Sequence, residues 1–293
     1  MSKHAYLIMA HNQFDFLEML LHDLDYEDND IYLHVDKKAA EFDEEYFCSI
    51  TKKSNLHIIP RLNIHWAGYS IVNCILTLLE HAVAKGGYRY YHLLTGSEFP
   101  IQSQEKTHAF FDENYGKEFI GFDNVSNNFL NRVKYYHIFN ERGRDNSFRG
   151  NLKAEADCRF MLLQEKLHFD RTSVFNQGVV YKKGNMTWSI TDKLARYIVK
   201  QNKEIRKFYA HTWCCDEVFV QTIVFNSEFY NNVYDKDDEY HSQMRMCQWD
   251  RPDNQYHIED IDNLVASERF FARKLCGEEG KEIAKMLVER RND

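Results

Sequence analysis

The sequence is poor in both main-chain breakers. It has 3 prolines and 12 glycines in 293 residues, too few for collagen-like repeats, long disordered linkers or low-complexity tails. No apolar run approaches the roughly 20 residues that a membrane-spanning helix needs. The opening stretch MSKHAYLIMAHNQFDF is apolar only briefly, and His11, Asn12 and Asp15 interrupt it with no small-residue cleavage site after them. It reads as a buried strand and not as a signal peptide. Acidic residues outnumber basic ones, 37 − 45 = −8, which argues against a general nucleic-acid binder while leaving room for local basic patches. The seven cysteines, Cys48, Cys74, Cys158, Cys214, Cys215, Cys247 and Cys276, show no CxxC spacing. With no export signal they are expected to be reduced thiols in a cytoplasm. The adjacent pair Cys214–Cys215 reads as two small, semi-buried side chains.

Several chemical signatures are missing as well. There is no GxGxxG after the first strand, no GxxxxGK[ST], no GxSxG and no HExxH. The 14 histidines are dispersed without zinc-ligand spacing. His34, inside an apolar run, reads as a satisfied histidine rather than a ligand. An Asp-x-Asp metal–nucleotide motif is absent where it would be expected, because Asp36 is followed by Lys37 and Lys38. Asp23-Leu24-Asp25 matches by letters but falls on the last turn of the first helix, where a solvated face is the better reading.

What is present is an alternation of strand and helix patterns. Residues 5–10 (AYLIMA) form a continuous apolar run, as in a strand covered on both faces. Phe14, Leu17, Leu20, Leu21 and Leu24 then recur at helical spacing. Residues 31–36 (IYLHVD) predict a second strand and 55–59 a third. Ile71, Ile75, Leu78, Leu79 and Ala82 line one face of a helix over 70–84, with Ser70 as its N-cap. Residues 88–94 (YRYYHLL) predict a fourth strand, ending in the turn Thr95-Gly96-Ser97. This order implies a mostly parallel sheet with helices on both faces, and in such sheets ligands sit beyond the C-terminal strand ends. Residues 10–12, 36–38 and 95–98 are therefore the first to suspect. Between about 124 and 170 the pattern loosens, and Arg132, Lys134, Arg142, Arg144, Arg149 and Lys153 stand among polar residues. The stretch reads as an inserted, partly helical or mobile segment over the site. Order returns at 173–181, then in helices near 191–201 and 216–225, and the tail 277–291 is a charged amphipathic helix. No internal repeat is visible, and one domain over 1–293 fits better than two.

Six short segments carry the functional signal by their order and spacing: His34-Val35-Asp36-Lys37-Lys38, Asn63-Ile64-His65-Trp66-Ala67-Gly68, LLTGSEFPI over 93–101, Gly184-Asn185-Met186-Thr187-Trp188, Cys215-Asp216-Glu217, and FFARKL over 270–275. Together they resemble the core-2/I-branching glycosyltransferases (glycosyltransferase family 14), which include β-1,6-N-acetylglucosaminyltransferases and peptide O-xylosyltransferases. The resemblance covers nearly the whole chain. It implies a GT-A-like α/β single domain, a mostly parallel central sheet flanked by helices, and inverting transfer of a sugar from a UDP-sugar to a hydroxyl without a bound metal or other cofactor.

By the same resemblance Ala10, His11 and Asn12 form the first nucleotide-contacting turn and Asp36, Lys37 and Lys38 the second. Ile64, His65 and Trp66 form the uridine- or donor-contacting segment. Thr187 and Trp188 line the donor sugar, and Arg273 and Lys274 are the basic pair that meets the diphosphate. Glu98 stands where the family has an aspartate and Trp249 where a tryptophan stacks on the acceptor sugar; both are expected at the acceptor. Arg251 is expected as a second diphosphate contact, with Arg245 its rival. Glu217 falls at the family's catalytic base. Physically, glycosyl transfer needs a base for the acceptor hydroxyl and charge compensation for the departing diphosphate. Read by itself, Glu217 at a helix start is a dipole-stabilised carboxylate; the family match reverses those odds. Adjacent Asp216 projects about 100° away if helical and reads as an N-cap or supporting group.

The segment 182–207 carries 8 basic and 2 acidic residues. A solvated helix face has the edge there; the functional reading is attraction to an anionic membrane surface or to a lipid-linked acceptor. The composite expectation is a cytoplasmic bacterial enzyme that builds a surface glycan, with peripheral contact at the inner face of the membrane through 182–207 as the functional reading of that segment, N-acetylglucosamine the leading donor sugar and no nucleic-acid partner. A xylosyltransferase-like enzyme, a non-catalytic nucleotide- or carbohydrate-binding protein and a metal-dependent hydrolase are the rivals.

Overall fold

The apolar runs of the first third become parallel strands in the computed structural model, which describes residues 2–124, 129–175 and 177–291. They are β1 (His4–Ala10), β2 (Asn29–Val35), β3 (Asn55–Ile58) and β4 (Tyr90–Thr95), and β6 (Trp188–Thr191) completes a five-stranded sheet in the order β3-β2-β1-β4-β6. The first four run parallel; β6 runs antiparallel to β4, with Leu93 opposite Trp188. Two apolar cores form because successive residues of β1 point to opposite faces. Ala5 and Leu7 pack with Val72, Ile75 and Leu79 of the helix Tyr69–Lys85. Tyr6 and Ile8 pack with Leu17, Leu20 and Leu21 of the helix Phe14–Asp23 and with Ile283 and Leu287 of the C-terminal helix Gly277–Arg290. Each such Leu or Ile contributes about 1.5–3 kcal/mol on burial. The result is an α/β fold whose mostly parallel sheet is flanked by helices.

Three local expectations need correction. The helix after β3 begins at Tyr69 with Gly68 as its N-cap; Ser70 lies within the first turn, where its hydroxyl accepts from the His65 amide at 2.8 Å. Asp23 and Asp25 are not a solvated pair. Asp23 is ion-paired with Arg291, and the Asp25 carboxylate accepts from the amides of Lys52, Lys53 and Ser54, all at 2.8 Å. These bonds hold its pKa below the usual carboxylate value despite the opposing effect of burial. Of the expected 173–181 element only the start is regular among the described residues, as the end of a short helix Arg171–Phe175, and the next strand is β6.

A second sheet, β5 (Glu98–Pro100), β8 (Phe271–Arg273) and β7 (Arg245–Cys247), brings the FFARKL segment to the end of β4. The register places Glu98 opposite Arg273. Residues 125–128 lie outside the described part of the loosely patterned stretch. Its remainder folds as Leu130–Lys134, a short 3-10 turn Asn140–Arg142 and the long helix Phe148–Lys166. It is fastened to the core by Arg171, buried and donating to the Val133 carbonyl at 2.7 Å and the His211 carbonyl at 3.4 Å, and by Asn140 on the Ala210 carbonyl at 2.9 Å, while His137 on Asp157 at 2.8 Å joins two of its own parts. The seven cysteines are free thiols. Among the described residues no helix is long and apolar enough to cross a membrane.

Candidate active site

A cleft of about 720 Å³ opens beyond the C-terminal ends of β1, β2 and β4, where a parallel sheet leaves its ligand crevice. Of the nucleotide- and donor-contacting residues that the resemblance implies, ten line it: Ala10, His11, Asn12, Asp36, Lys38, Ile64, His65, Trp66, Arg273 and Lys274. They come from four separate parts of the chain, and local chemistry explains how each is held. His34 accepts the Leu62 amide at 2.9 Å; burial lowers its pKa to about 4, so it is neutral and free to accept. Arg61 donates to the Val35 and Asp36 carbonyls at 3.3 and 2.8 Å. These contacts press the loop carrying Ile64, His65 and Trp66 against the end of β2. Lys38 closes the corner, bonded to the Ile64 carbonyl and 3.4 Å from Asp36. Lys37 contributes its amide to the Leu62 carbonyl at 2.9 Å, but its side chain is exposed and does not line the cleft.

Seven expected contacts, Lys37 among them, lie outside this lining. Thr187 and Trp188 are fully buried, because β6 pairs with β4 at the sheet's edge and takes Trp188 into the core; Met186, just before them, lines the cleft instead. Glu98 is fully buried too, accepting from the Thr95 amide at 2.6 Å and facing Arg245 at 3.5 Å. It fixes the turn 95–97 from below and offers no oxygen to an acceptor. Arg245, the rival diphosphate ligand, is itself completely buried and donates to the Gln243, Leu93 and Trp188 carbonyls. Its role is to tie β7, β4 and β6 together. Arg251 is engaged by Asp260 and by Glu259 at 2.9 Å. Trp249 is half-exposed with the Arg273 guanidinium 5.4 Å from its ring centroid, so it holds a cleft arginine from behind.

Glu217 lies beside the cleft and not on its lining. It ends a 3-10 turn, Cys215–Glu217, and the helix proper starts at Phe219. The Cys214 amide donates to the Ala67 carbonyl at 2.8 Å, joining this turn to the Trp66 loop. The Glu217 side chain is 39% exposed and pairs with Arg132 at 2.8 Å. Asp216 is no N-cap: Cys214 precedes the turn, and the Asp216 carboxyl is buried with one oxygen unpartnered. Burial and then the Glu217 charge push its pKa up to about 7. Two carboxyls in sequence thus differ sharply, one accessible and ion-paired, the other buried with its pKa raised. Among the described residues, no group of three or more His, Cys, Asp or Glu is placed to hold a metal ion.

Sequence reading missed Arg142, Gly143 and Arg144, which line the cleft from the helical segment. Their only signal was a basic stretch of loose pattern. Trp213 was missed as well; it meets Trp66 edge to face with ring centroids 5.9 Å apart.

A family model described as "Branch: Core-2/I-Branching enzyme" matches residues 4–268. Xylosyltransferase 2 of Canis lupus familiaris and of Homo sapiens are each 22% identical over 310 residues, covering 97% of this chain and 33% of theirs. Xylosyltransferase 1 of Pan troglodytes is 18% identical over 255 residues, covering 84% of this chain and 24% of its own. The chain therefore spans about a third of the length of the curated relatives it matches. Among solved structures, the glycosyltransferase GlyE of Streptococcus pneumoniae TIGR4 is similar at 10% identity and a TM-score of 0.24, covering 71% of this chain and 44% of that one. S. aureus TarS is similar at 13% identity and a TM-score of 0.30, covering 45% and 24%. With the family model matched from β1 to just before β8, the chain belongs to the core-2/I-branching enzyme family.

Proposed function

We propose that this protein is an inverting glycosyltransferase that moves a sugar from a UDP-sugar to a hydroxyl of a glycan or glycoconjugate. The observation that carries the reading is the convergence, on one cleft at the sheet's C-terminal edge, of ten residues from four separate segments that the resemblance assigns to the nucleotide and donor. In the mechanism, UDP lies along 10–12 and 36–38. Glu217 takes the acceptor hydroxyl's proton as that oxygen attacks the anomeric carbon from the face opposite UDP. The bond from the sugar to the diphosphate oxygen breaks, and Arg273 and Lys274 meet the charge that develops there. For this the acceptor must displace Arg132 from at least one Glu217 oxygen.

N-acetylglucosamine is the leading donor sugar; xylose is the alternative, favoured by the names of the similar xylosyltransferases. No metal takes part in this mechanism, since cations of the chain occupy the diphosphate's surroundings. The enzyme is read as cytoplasmic and bacterial. A lipid-linked acceptor, with residues 182–207 against an anionic membrane surface, is a second reading. It is favoured by the exposure of Lys193, Arg196, Lys200, Lys203, Arg206 and Lys207 on neighbouring turns.

The test is a panel of UDP-N-acetylglucosamine, UDP-xylose, UDP-glucose and UDP-galactose, measured for binding and slow hydrolysis with and without excess chelator. Saturable UDP binding with hydrolysis of one donor, unchanged by chelator, is expected. Absence of UDP binding overturns the reading, and restoration of a chelated enzyme by manganese or magnesium overturns its metal-free form.

A further inference from the structure

The turn 141–144 reaches the cleft from the helical segment and has no role in the mechanism above. Its single carboxylate faces away: Glu141 accepts from the Ser70 amide and from the Ser70 hydroxyl, both at 2.7 Å. This pins the turn to the start of the helix Tyr69–Lys85. Gly68 makes the approach possible, since a Cβ there would stand 2.4 Å from a Glu141 oxygen. Gly143 has φ +63°, a left-handed conformation suited to glycine, and a Cβ on it would lie 3.6 Å from the Trp66 amide nitrogen.

With Glu141 spent on the helix, the turn presents two guanidinium groups. Arg144 lies 4.5 Å from the Trp66 ring centroid and Arg142 4.9 Å from that of Trp213. Neither is ion-paired with a carboxylate among the described residues. An arginine stacked on an indole is oriented by the ring while its N–H edge stays open to a planar, two-oxygen anion. The charge balance of the cleft points the same way. Lys38 is answered by Asp36, and Arg273 and Lys274 serve the donor diphosphate; Asp145 acts on Arg142 only at longer range, and Glu41, which also lines the cleft, makes no close ion pair with either arginine.

We propose that Arg142 and Arg144 form an anion subsite for the acceptor, so that the acceptor glycan carries a carboxylate or phosphate close to the hydroxyl that reacts. This rests on the glycosyl-transfer reading above and names the substrate class of the same cleft.

The experiment measures binding to UDP-saturated protein of three probes. A hyaluronan tetrasaccharide carries uronate carboxylates, N-acetylglucosamine 1-phosphate carries a phosphomonoester, and chitotetraose is neutral. Arg142→Gln, Arg144→Gln and the two lysine variants are measured alongside, with the UDP affinity and melting temperature of each. At least one anionic probe is expected to bind about 10-fold or more tightly than chitotetraose, and the probe that does so identifies the anion. Each glutamine variant should lose most of that preference, each lysine variant should keep part of it, and UDP affinity should stay within about threefold. Equal binding of charged and neutral probes overturns the proposal. So does a UDP affinity that falls in step with anion binding, which would assign the arginines to the donor while leaving glycosyl transfer intact. Failure of the wild-type protein to bind UDP overturns the glycosyl-transfer reading itself, and the proposal with it.

Discussion

Adjacent carboxyls at positions 216 and 217 show how far burial separates identical chemistry. Glu217 is accessible and paired with Arg132, whereas Asp216 is buried and its pKa is pushed up to about 7. If Glu217 is the base, Glu217→Gln keeps the Arg132 hydrogen bond and removes the proton acceptor. Turnover should fall ~10²–10⁴-fold while UDP affinity holds; near-normal turnover would transfer the role to Asp216, to be tested as Asp216→Asn. At the other end of the reaction, Lys274→Ala should weaken UDP binding about 10-fold or more, and Lys274→Arg should recover part of it because charge returns in a different shape. Titration calorimetry with UDP checks both, and equal affinity in all three proteins would remove Lys274 from the diphosphate site. At this scale the sequence was a good guide where a residue sits at the end of a parallel strand, as with Asn12 and Asp36. It misled at Trp188 and Glu98, whose letters suit a sugar site but whose backbone runs through the interior.

Elements were legible in outline because their signal is local. The run AYLIMA and the helical repeat of Ile71, Ile75, Leu78 and Leu79 each need only neighbouring residues to be recognised. Their ends were less so, since a helix start is decided by what satisfies its free amides. For the helix Tyr69–Lys85 that partner is Glu141, 71 positions from Ser70, and no local pattern announces it. Glu141→Ala should cost about 1 kcal/mol, as loss of an N-terminal side-chain acceptor does, and lower the melting temperature by about 2 °C. Differential scanning calorimetry decides this. An unchanged melting temperature would mean that water replaces the carboxylate at no cost.

The whole molecule carries a buried polar layer that no single element reveals. His4 and His92 meet at 3.1 Å, and His4 stacks on His108 with ring centroids 4.0 Å apart. Burial lowers the pKa of all three, as it does for His34. Each is therefore neutral in the fold while the unfolded chain takes up a proton near pH 6.5. The stability they support is complete above about pH 6.5 and is lost as the pH falls towards their folded values, by about 1.4 kcal/mol per pH unit per group. Glu118 and Asp216 act in the opposite sense, since burial pushes both up to about 7 and the fold gains from their protonation as the pH drops. His11 and His57 are lowered as well, and Glu239 and His257 are raised; six lowered histidines against four raised groups leave a net loss, so the melting temperature should be lower at pH 5 than at pH 7. A flat or rising profile would show that the histidines are more accessible to protons than their packing implies.

By itself the sequence determined the alternation of strand and helix, the mostly parallel sheet and the family, because hydrophobic periodicity and short motifs act over a few residues. Only the tertiary structure decided which motif residues share a cleft, that Thr187, Trp188, Glu98 and Arg245 are interior, and that Arg142 and Arg144 lie over Trp213 and Trp66. Those outcomes depend on contacts between segments tens of residues apart, where burial and charge pairing, and not local pattern, set what each side chain meets.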